Sequence, residues 1–355
     1  MRWKLEGHGE RSAAGQGALF GGEADGAVVE RRPGKGAFSG MEFLHVRART
    51  IINSLGPSSP LPFRHTINAY RGCSHACTYC FARPSHEWLE LDIDEGFERQ
   101  VVVKVNAVER LGRELAPRRW AGESIAMGTN TDPYQRCEGI YGLTRGLVEV
   151  LTTHRNPFSI LTKSTLVVRD LDLLAEASRC TDVTVNLSIG TLDPEVWRAT
   201  EPATPHPRRR VEAVARLRAA GVRCGVLVAP VLPGLSDSAA QLEAVVAACT
   251  EAGASSISGG QVVYLKPGTR EVFLAHLART HPHLLERYEQ LYQGVYAPEE
   301  LRGQVQRRLR DAIDRHQGRH VDITRNREPR AARPSLAPTS SPGRSATSTQ
   351  LGLSL

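Results

Sequence analysis

Six times between residues 66 and 263 the chain runs through a short apolar or β-branched stretch, a turn and a longer helical pattern. The spacing predicts strands at Thr66–Ala69, Ser124–Met127, Phe158–Leu161, Val183–Ile189, Arg223–Val228 and Ser256–Val263. Helical patterns fall between and after them: Val108–Leu115, Leu143–Thr152, Leu171–Ser178, Arg209–Ala219 and Ala239–Cys249. Gly221 and Gly253 stop the last two. Such alternation argues for an α/β fold with parallel strands. The wide, uneven spacing of the strand starts suits an open or partial barrel better than a sandwich. Chemistry in such folds gathers at the C-terminal strand ends. A helical extension is expected over Leu284–Tyr292 and Glu299–Asp314.

The ends of the chain read differently. Residues 1–40 are rich in glycine and are expected to form a loose arm, with at most a short hairpin near Ala27–Glu30. Residues 41–318 form one ordered body. From Arg319 the chain is basic and then rich in Pro, Ser and Thr, the composition of a disordered tail. The tail carries six basic and two acidic residues, so more than half of the formal charge of +7 lies outside the body. The charge is therefore weak evidence for a nucleic-acid partner. The longest apolar stretches, near Val226–Leu232 and Leu242–Ala248, fall far short of the roughly 20 residues that a membrane span needs. Met1–Glu10 has no apolar h-region, so a cytoplasmic protein without membrane partners is expected.

Seven cysteines remain, and three share one octet, Cys73-Ser-His-Ala-Cys77-Thr-Tyr-Cys80, entered through Arg71-Gly72. The octet follows the first predicted strand, hence sits on a loop at a C-terminal strand edge. Three thiolates this close can converge on a soft metal centre, with one ligand fewer than a four-cysteine cluster site requires. Zinc held with His75 or His86, or three unrelated buried thiols, are the alternatives. Cys180, Cys224 and Cys249 lie on or beside apolar elements and read as small core residues. Cys137, in the polar stretch Tyr134–Glu138, is the best-placed spare thiol.

The octet resembles the hallmark Cys-x3-Cys-x-aromatic-Cys of the radical S-adenosylmethionine (radical SAM) superfamily, with Tyr79 at the aromatic position. The flanks Ile67–Cys73, Cys80–Pro84 and Gly128–Gln135 are similar to the subgroup related to spore photoproduct lyase, chiefly its bacterial members. The resemblance covers roughly Ser54 to Asp314. It implies a partial (β/α)6 TIM-like barrel. It also implies a [4Fe-4S] cluster on Cys73, Cys77 and Cys80, whose fourth iron chelates S-adenosylmethionine (SAM). A one-electron reductant such as flavodoxin or ferredoxin would reduce the cluster, and SAM would be cleaved to a 5′-deoxyadenosyl radical that abstracts hydrogen from substrate.

By the same resemblance Gly128, Thr129, Asn130 and Asp132 would meet the methionyl amine. Lys163 would meet the carboxylate, and Asn186 and Ser188 the ribose. Glu201 would be a ribose or lysine partner, and Ala229–Gly234 an adenine-edge loop. Photoproduct lyase returns a hydrogen atom from a cysteine, and Cys137 is the candidate for that catalytic role, though its placement does not clearly match. The substrate stays open. DNA photoproduct repair by the same chemistry and a non-catalytic metal-binding interaction protein are the competing functions.

Overall fold

The computed structural model describes residues 28–317, apart from 57, 58, 60, 118 and 119. The basic tail and the first 27 residues of the arm lie outside the described residues. Strands are β1 (Val28–Pro33), β2 (Glu42–Val46), β3 (Ile52–Ser54), β4 (His65–Ile67), β5 (Tyr70–Arg71) and β6 (Gln100–Lys104), then β7 (Ile125–Met127), β8 (Phe158–Thr162), β9 (Val183–Ser188), β10 (Cys224–Val228) and β11 (Ser256–Gly259). A seven-stranded sheet has the order β11-β10-β9-β8-β7-β4-β3. Its six strands from β4 to β11 pair in parallel, and β3 closes the edge antiparallel to β4. This is the expected partial (β/α)6 barrel, and all six strands lie where the sequence predicts them. The sixth is shorter than predicted, and pairing resumes only at one isolated parallel bridge, Val231 with Val262.

Burial follows from strand position. Val183, Val185 and Leu187 are buried and alternate with half-buried Thr184 and Asn186. The helices Leu143–Thr153, Leu171–Cys180, Pro207–Ala219 and Ala239–Glu251 cover the outer face and contribute Leu147, Leu174, Val214 and Val246 to one continuous core. The helix Ala239–Glu251 starts with a capping box, in which Ser238 and Gln241 satisfy each other's backbone N–H groups. The extension is helical at Leu285–Leu291 and Glu299–Gln317, as expected, and a further helix spans Thr269–Thr280. Among the described residues no helix is long and apolar enough to cross a membrane.

A second, four-stranded sheet, order β1-β2-β6-β5, has no counterpart in the predicted elements. It is buried on both faces. Phe43, Val101 and Val103 join the main core, while Leu44, Val46 and Val102 pack with Leu89 and Leu91. That explains the unbroken Val101-Val-Val run, which gives no alternation to read. The sheet also corrects the expected arm. Val28–Pro33 contains no glycine and pairs along β2 as an exposed edge strand, so ordered structure begins before residue 41. Through β5 this sheet holds the chain that leads into the cysteine octet.

Candidate active site

The five strands β7 to β11 and the cysteine loop deliver residues to one cavity of about 320 Å³ at the C-terminal strand ends. Cys73, Cys77 and Cys80 line one end of it, on the loop after β5. Gly128–Asp132 after β7, Leu161–Lys163 at the end of β8 and Ser188 at the end of β9 form the walls. Ala229 and Pro230 after β10 and Gln261–Tyr264 after β11 complete it.

The cysteine loop is fastened by its backbone. The fully buried Arg83 donates from Nε and Nη2 to the Cys77 carbonyl at 3.2 and 3.1 Å. Thr269 donates to the Cys80 carbonyl at 3.1 Å. The Thr78 N–H donates to the Thr200 carbonyl at 3.0 Å, and the Ala203 N–H to the His75 carbonyl at 3.3 Å. Gln135, wholly buried, accepts from the Ser74 N–H at 2.9 Å and donates to the Gly72 carbonyl at 3.1 Å and Thr131 Oγ1 at 3.0 Å. No thiol of the three is used in any of these bonds. All three cysteines are free and at least half-buried. Burial raises each thiol above its ordinary pKa, and for Cys73 the Asp132 charge adds to it. Such thiols ionise only with a positive centre beside them, which a metal cluster provides.

Opposite the cysteines stands a buried charged group. Lys163 Nζ donates to Ser188 Oγ at 2.6 Å and pairs with Glu201 Oε1 at 3.0 Å. It lies 5.7 Å from the centre of the Tyr79 ring. Glu201 also accepts from the Tyr79 hydroxyl and from Arg210, a guanidinium only 1 % exposed. Burial opposes ionisation of Glu201, but the charges of Arg210 and Lys163 and the Tyr79 hydrogen bond hold its carboxyl well below the usual range.

The loop after β7 turns through Gly128 at φ +94°. A Cβ there would come within 2.0 Å of the Leu161 carbonyl oxygen, so only glycine fits. Asp132 accepts from the Thr162 hydroxyl at 2.6 Å, the Lys163 N–H at 2.7 Å and the Tyr134 N–H at 2.9 Å. His75 Nδ1 lies 3.3 Å from its other side. Although burial pushes upward, His75 and these hydrogen bonds hold the Asp132 carboxyl below its ordinary value. Asp132 thus ties β7 to β8 with both oxygens engaged. Asn68 accepts from the Asn130 N–H at 3.1 Å and donates to Thr129 Oγ1 at 3.2 Å, fixing the loop from β4.

Most of the expected residues meet here: the three cysteines, Tyr79, Gly128, Thr129, Asn130, Asp132, Lys163 and Ser188 all line the cavity. Glu201 lies behind Lys163, in the lysine-partner role. Asn186 shares the face of Ser188 but is set back from the cavity, where its Oδ1 would lie 2.5 Å from a Cβ at Gly225. Cys137 does not reach the cavity. It is wholly buried in the main core at the start of the short helix Glu138–Tyr141. Gln135 and Glu138 beside it are buried too, and Glu138 takes hydrogen bonds from the Tyr70 hydroxyl, the Thr144 N–H and Arg169. A polar sequence here marks an internal network, not a surface loop. Cys180 is exposed, while Cys224 and Cys249 are core residues as expected. Sequence reasoning missed the roles of Asn68, Gln135 and Arg210; the first two act mainly through partners about 60 positions away, and Arg210 through a buried carboxylate nine positions away.

Among the described residues no three Cys, His, Asp or Glu side chains close on a point where one metal ion could sit. His86 turns Nε2 to the Gln100 carbonyl at 3.0 Å and lies off the cavity, so it is no zinc ligand beside the thiols. Three buried thiols around the end of a cavity suit a polynuclear cluster with one open iron, rather than a zinc knuckle.

The fold and site thus bring three free cysteines together at the C-terminal end of a partial barrel. The family model for the radical SAM superfamily matches residues 67–244, and the chain belongs to that superfamily. Its members use a [4Fe-4S] cluster and SAM. Uncharacterized protein Rv2578c of Mycobacterium tuberculosis is 44 % identical over 280 residues, covering 79 % of this chain and 82 % of that protein. Uncharacterized protein MJ0683 of Methanocaldococcus jannaschii is 30 % identical over 199 residues, 56 % of this chain and 71 % of that one. Among solved structures, spore photoproduct lyase complexed with dinucleoside spore photoproduct superposes with a TM-score of 0.57 at 18 % identity. That match covers 77 % of this chain and 79 % of the lyase, and shows a shared fold.

Proposed function

We propose that this chain is an enzyme that binds a [4Fe-4S] cluster through Cys73, Cys77 and Cys80, and that SAM occupies the cavity between those cysteines and Lys163. When bound, the pair supplies reductive cleavage of the sulfonium and a 5′-deoxyadenosyl radical that takes a hydrogen atom from substrate. A one-electron donor of the flavodoxin or ferredoxin type supplies the electron. The chain's own residues bind, orient and exclude water. Lys163 offers the carboxylate of SAM a cation already oriented by Ser188 and Glu201. Because Glu201 stays ionised and is shared with Arg210, Lys163 can turn toward a ligand without stranding Glu201. The carbonyl-rich turn Gly128–Thr131 and the side chain of Asn130 face the amino group, while Asp132 acts by shaping that turn. Ser188 takes the ribose side, and Ala229–Pro230 the base.

One observation carries most weight: three free cysteines and a lysine line one cavity built from the cysteine loop and the C-terminal ends of the five parallel strands β7 to β11. Among the described residues the cavity wall has no fourth cysteine. We therefore favour a reaction that needs no thiol to return hydrogen, over repair of a DNA photoproduct. The test is anaerobic reconstitution, with iron and sulfide assayed, followed by dithionite and SAM. About four irons per chain and formation of 5′-deoxyadenosine are expected, both lost in Cys77→Ala. A loaded, reduced protein that leaves SAM intact refutes the proposal. Ultraviolet-irradiated DNA added to an active preparation should remain unrepaired.

A further inference from the structure

A second cavity of about 330 Å³ lies beside the first, and the two share Thr129 and Asn130 as a common wall. It is bounded by β3, β4, β5 and β6, the junction of the two sheets. Lys104 at the end of β6 and Arg71 at the end of β5 line it together. Lys104 is 7 % exposed, yet among the described residues its Nζ has no hydrogen-bond or ion-pair partner. Thr50 lines the same cavity, and its buried hydroxyl also lacks a partner. Leu55, Leu61 and Phe63 give the cavity an apolar side.

An ammonium buried without a direct ion-pair partner is costly, and proteins neutralise or pair such groups unless a site needs them. The nearby carboxylate, Glu114, is committed elsewhere: it accepts from the Ile51 and Ile52 N–H groups at 2.8 and 2.9 Å. A buried ammonium and a buried hydroxyl without partners on one cavity, with the positive charge of Arg71 beside them, favour an oxyanion. We propose that this cavity is the substrate subsite, and that it takes the phosphoryl or carboxylate group of a substrate whose reacting carbon reaches past Thr129 and Asn130 into the cysteine cavity. That the oxyanion belongs to the substrate rests on the reading of the cysteine cavity as the SAM site; the oxyanion site itself does not. Burial lowers the Lys104 pKa to about 7, with the Arg71 charge adding to the effect and Glu114 opposing it, as befits a group that gains a counter-charge only when its ligand arrives.

The test titrates the reconstituted full-length protein with inorganic phosphate, followed by 31P line broadening, and in parallel with acetate, followed by calorimetry. Saturable binding of at least one probe is expected, and the tighter one assigns the substrate group. Lys104→Met should weaken it by roughly tenfold or more and Lys104→Arg should restore most of it. Thr50→Val should weaken it about threefold, and Lys163→Met should leave it unchanged. Melting curves confirm that each variant is folded; if Lys104→Met is not, Thr50→Val and Lys104→Arg still decide. Absence of saturable binding of both probes overturns the proposal. So does binding undiminished in folded Lys104→Met, or binding lost in Lys163→Met, which would put the anion among the cysteines. SAM cleavage is scored in the same wild-type preparation. Oxyanion binding without cleavage would sink the cofactor assignment and leave the oxyanion site standing.

Discussion

Replacing Glu201 with Gln keeps the shape of the side chain and removes the charge that balances Arg210 and Lys163. Arg210 is almost wholly buried and cannot reach water. Breaking a buried ion pair by removing one partner costs about 3–5 kcal/mol. Arg210 would keep the Ser188 and Pro205 carbonyls, at 3.0 and 2.9 Å, so the lower end, about 3 kcal/mol, is expected. Lys163→Met is the internal control. Glu201 then retains Arg210 and Tyr79, so no buried charge is left without a partner and a smaller loss, about 1 kcal/mol, is expected. The two variants should part again in ligand binding. Lys163→Met should weaken SAM roughly tenfold in the reconstituted protein, through loss of one charge-assisted hydrogen bond. The assay is urea denaturation of the unloaded protein, comparing midpoints at unchanged slope. The sign of the pH effect is also defined. The Glu201 carboxyl is held below the ordinary glutamate value of 4.5, so its contribution is fully present above that pH. It is lost as pH falls below 4.5 toward the folded value, and Glu201→Gln should flatten the acid limb. Equal losses in both variants, or under 1 kcal/mol from Glu201→Gln, would refute the idea that Glu201 chiefly serves Arg210 and only lends itself to Lys163.

Three further outcomes are expected. Gln135→Ala leaves the Ser74 N–H and the Gly72 carbonyl without that partner, and should cost about 2–4 kcal/mol and lower iron retention after gel filtration. Cys137→Ala should lose about 1 kcal/mol of stability but cleave SAM within about twofold of wild type, because Cys137 is a core residue remote from the cavity; a hundredfold loss in a folded protein would restore it as a relay. Burial lowers Lys104 to about 7 in the folded chain from the ordinary lysine value of 10.5, so between those values the unfolded chain holds more protons and stability rises with pH. Lys104→Met should abolish that slope and melt higher than wild type at pH 7.

The barrel was legible because its strands are short apolar runs set between helical patterns, and Phe158–Thr162 and Val183–Ser188 fall within one residue of the predicted spans. The octet was legible because its ligands are local. Residues that act across the fold were not. Gln135 meets Gly72 from 63 positions away, and Tyr79 meets Glu201 from 122, and no spacing rule connects such pairs. Cys137 was misread for a related reason: buried Glu138 and Gln135 make its surroundings polar in sequence and dry in space. The second sheet carried a signal, the run of three valines, but its pairing of residues 42–46 with 100–104 is non-local and its first strand lies beyond a stretch dominated by glycine.

The bonds that hold the cysteine loop come from five separate parts of the chain: Arg83, Thr131 to Gln135, Thr200, Ala203 and Thr269. Those segments reach one another only after the barrel has wrapped around. The three thiols are local in sequence, but the backbone that presents them is fastened by parts of the chain as far away as Thr269. A chain with its last strands unpaired would carry the same three cysteines on a loop that lacks part of this fastening. Order in the cysteine loop and closure of the barrel are thereby coupled, so whatever stabilises one supports the other.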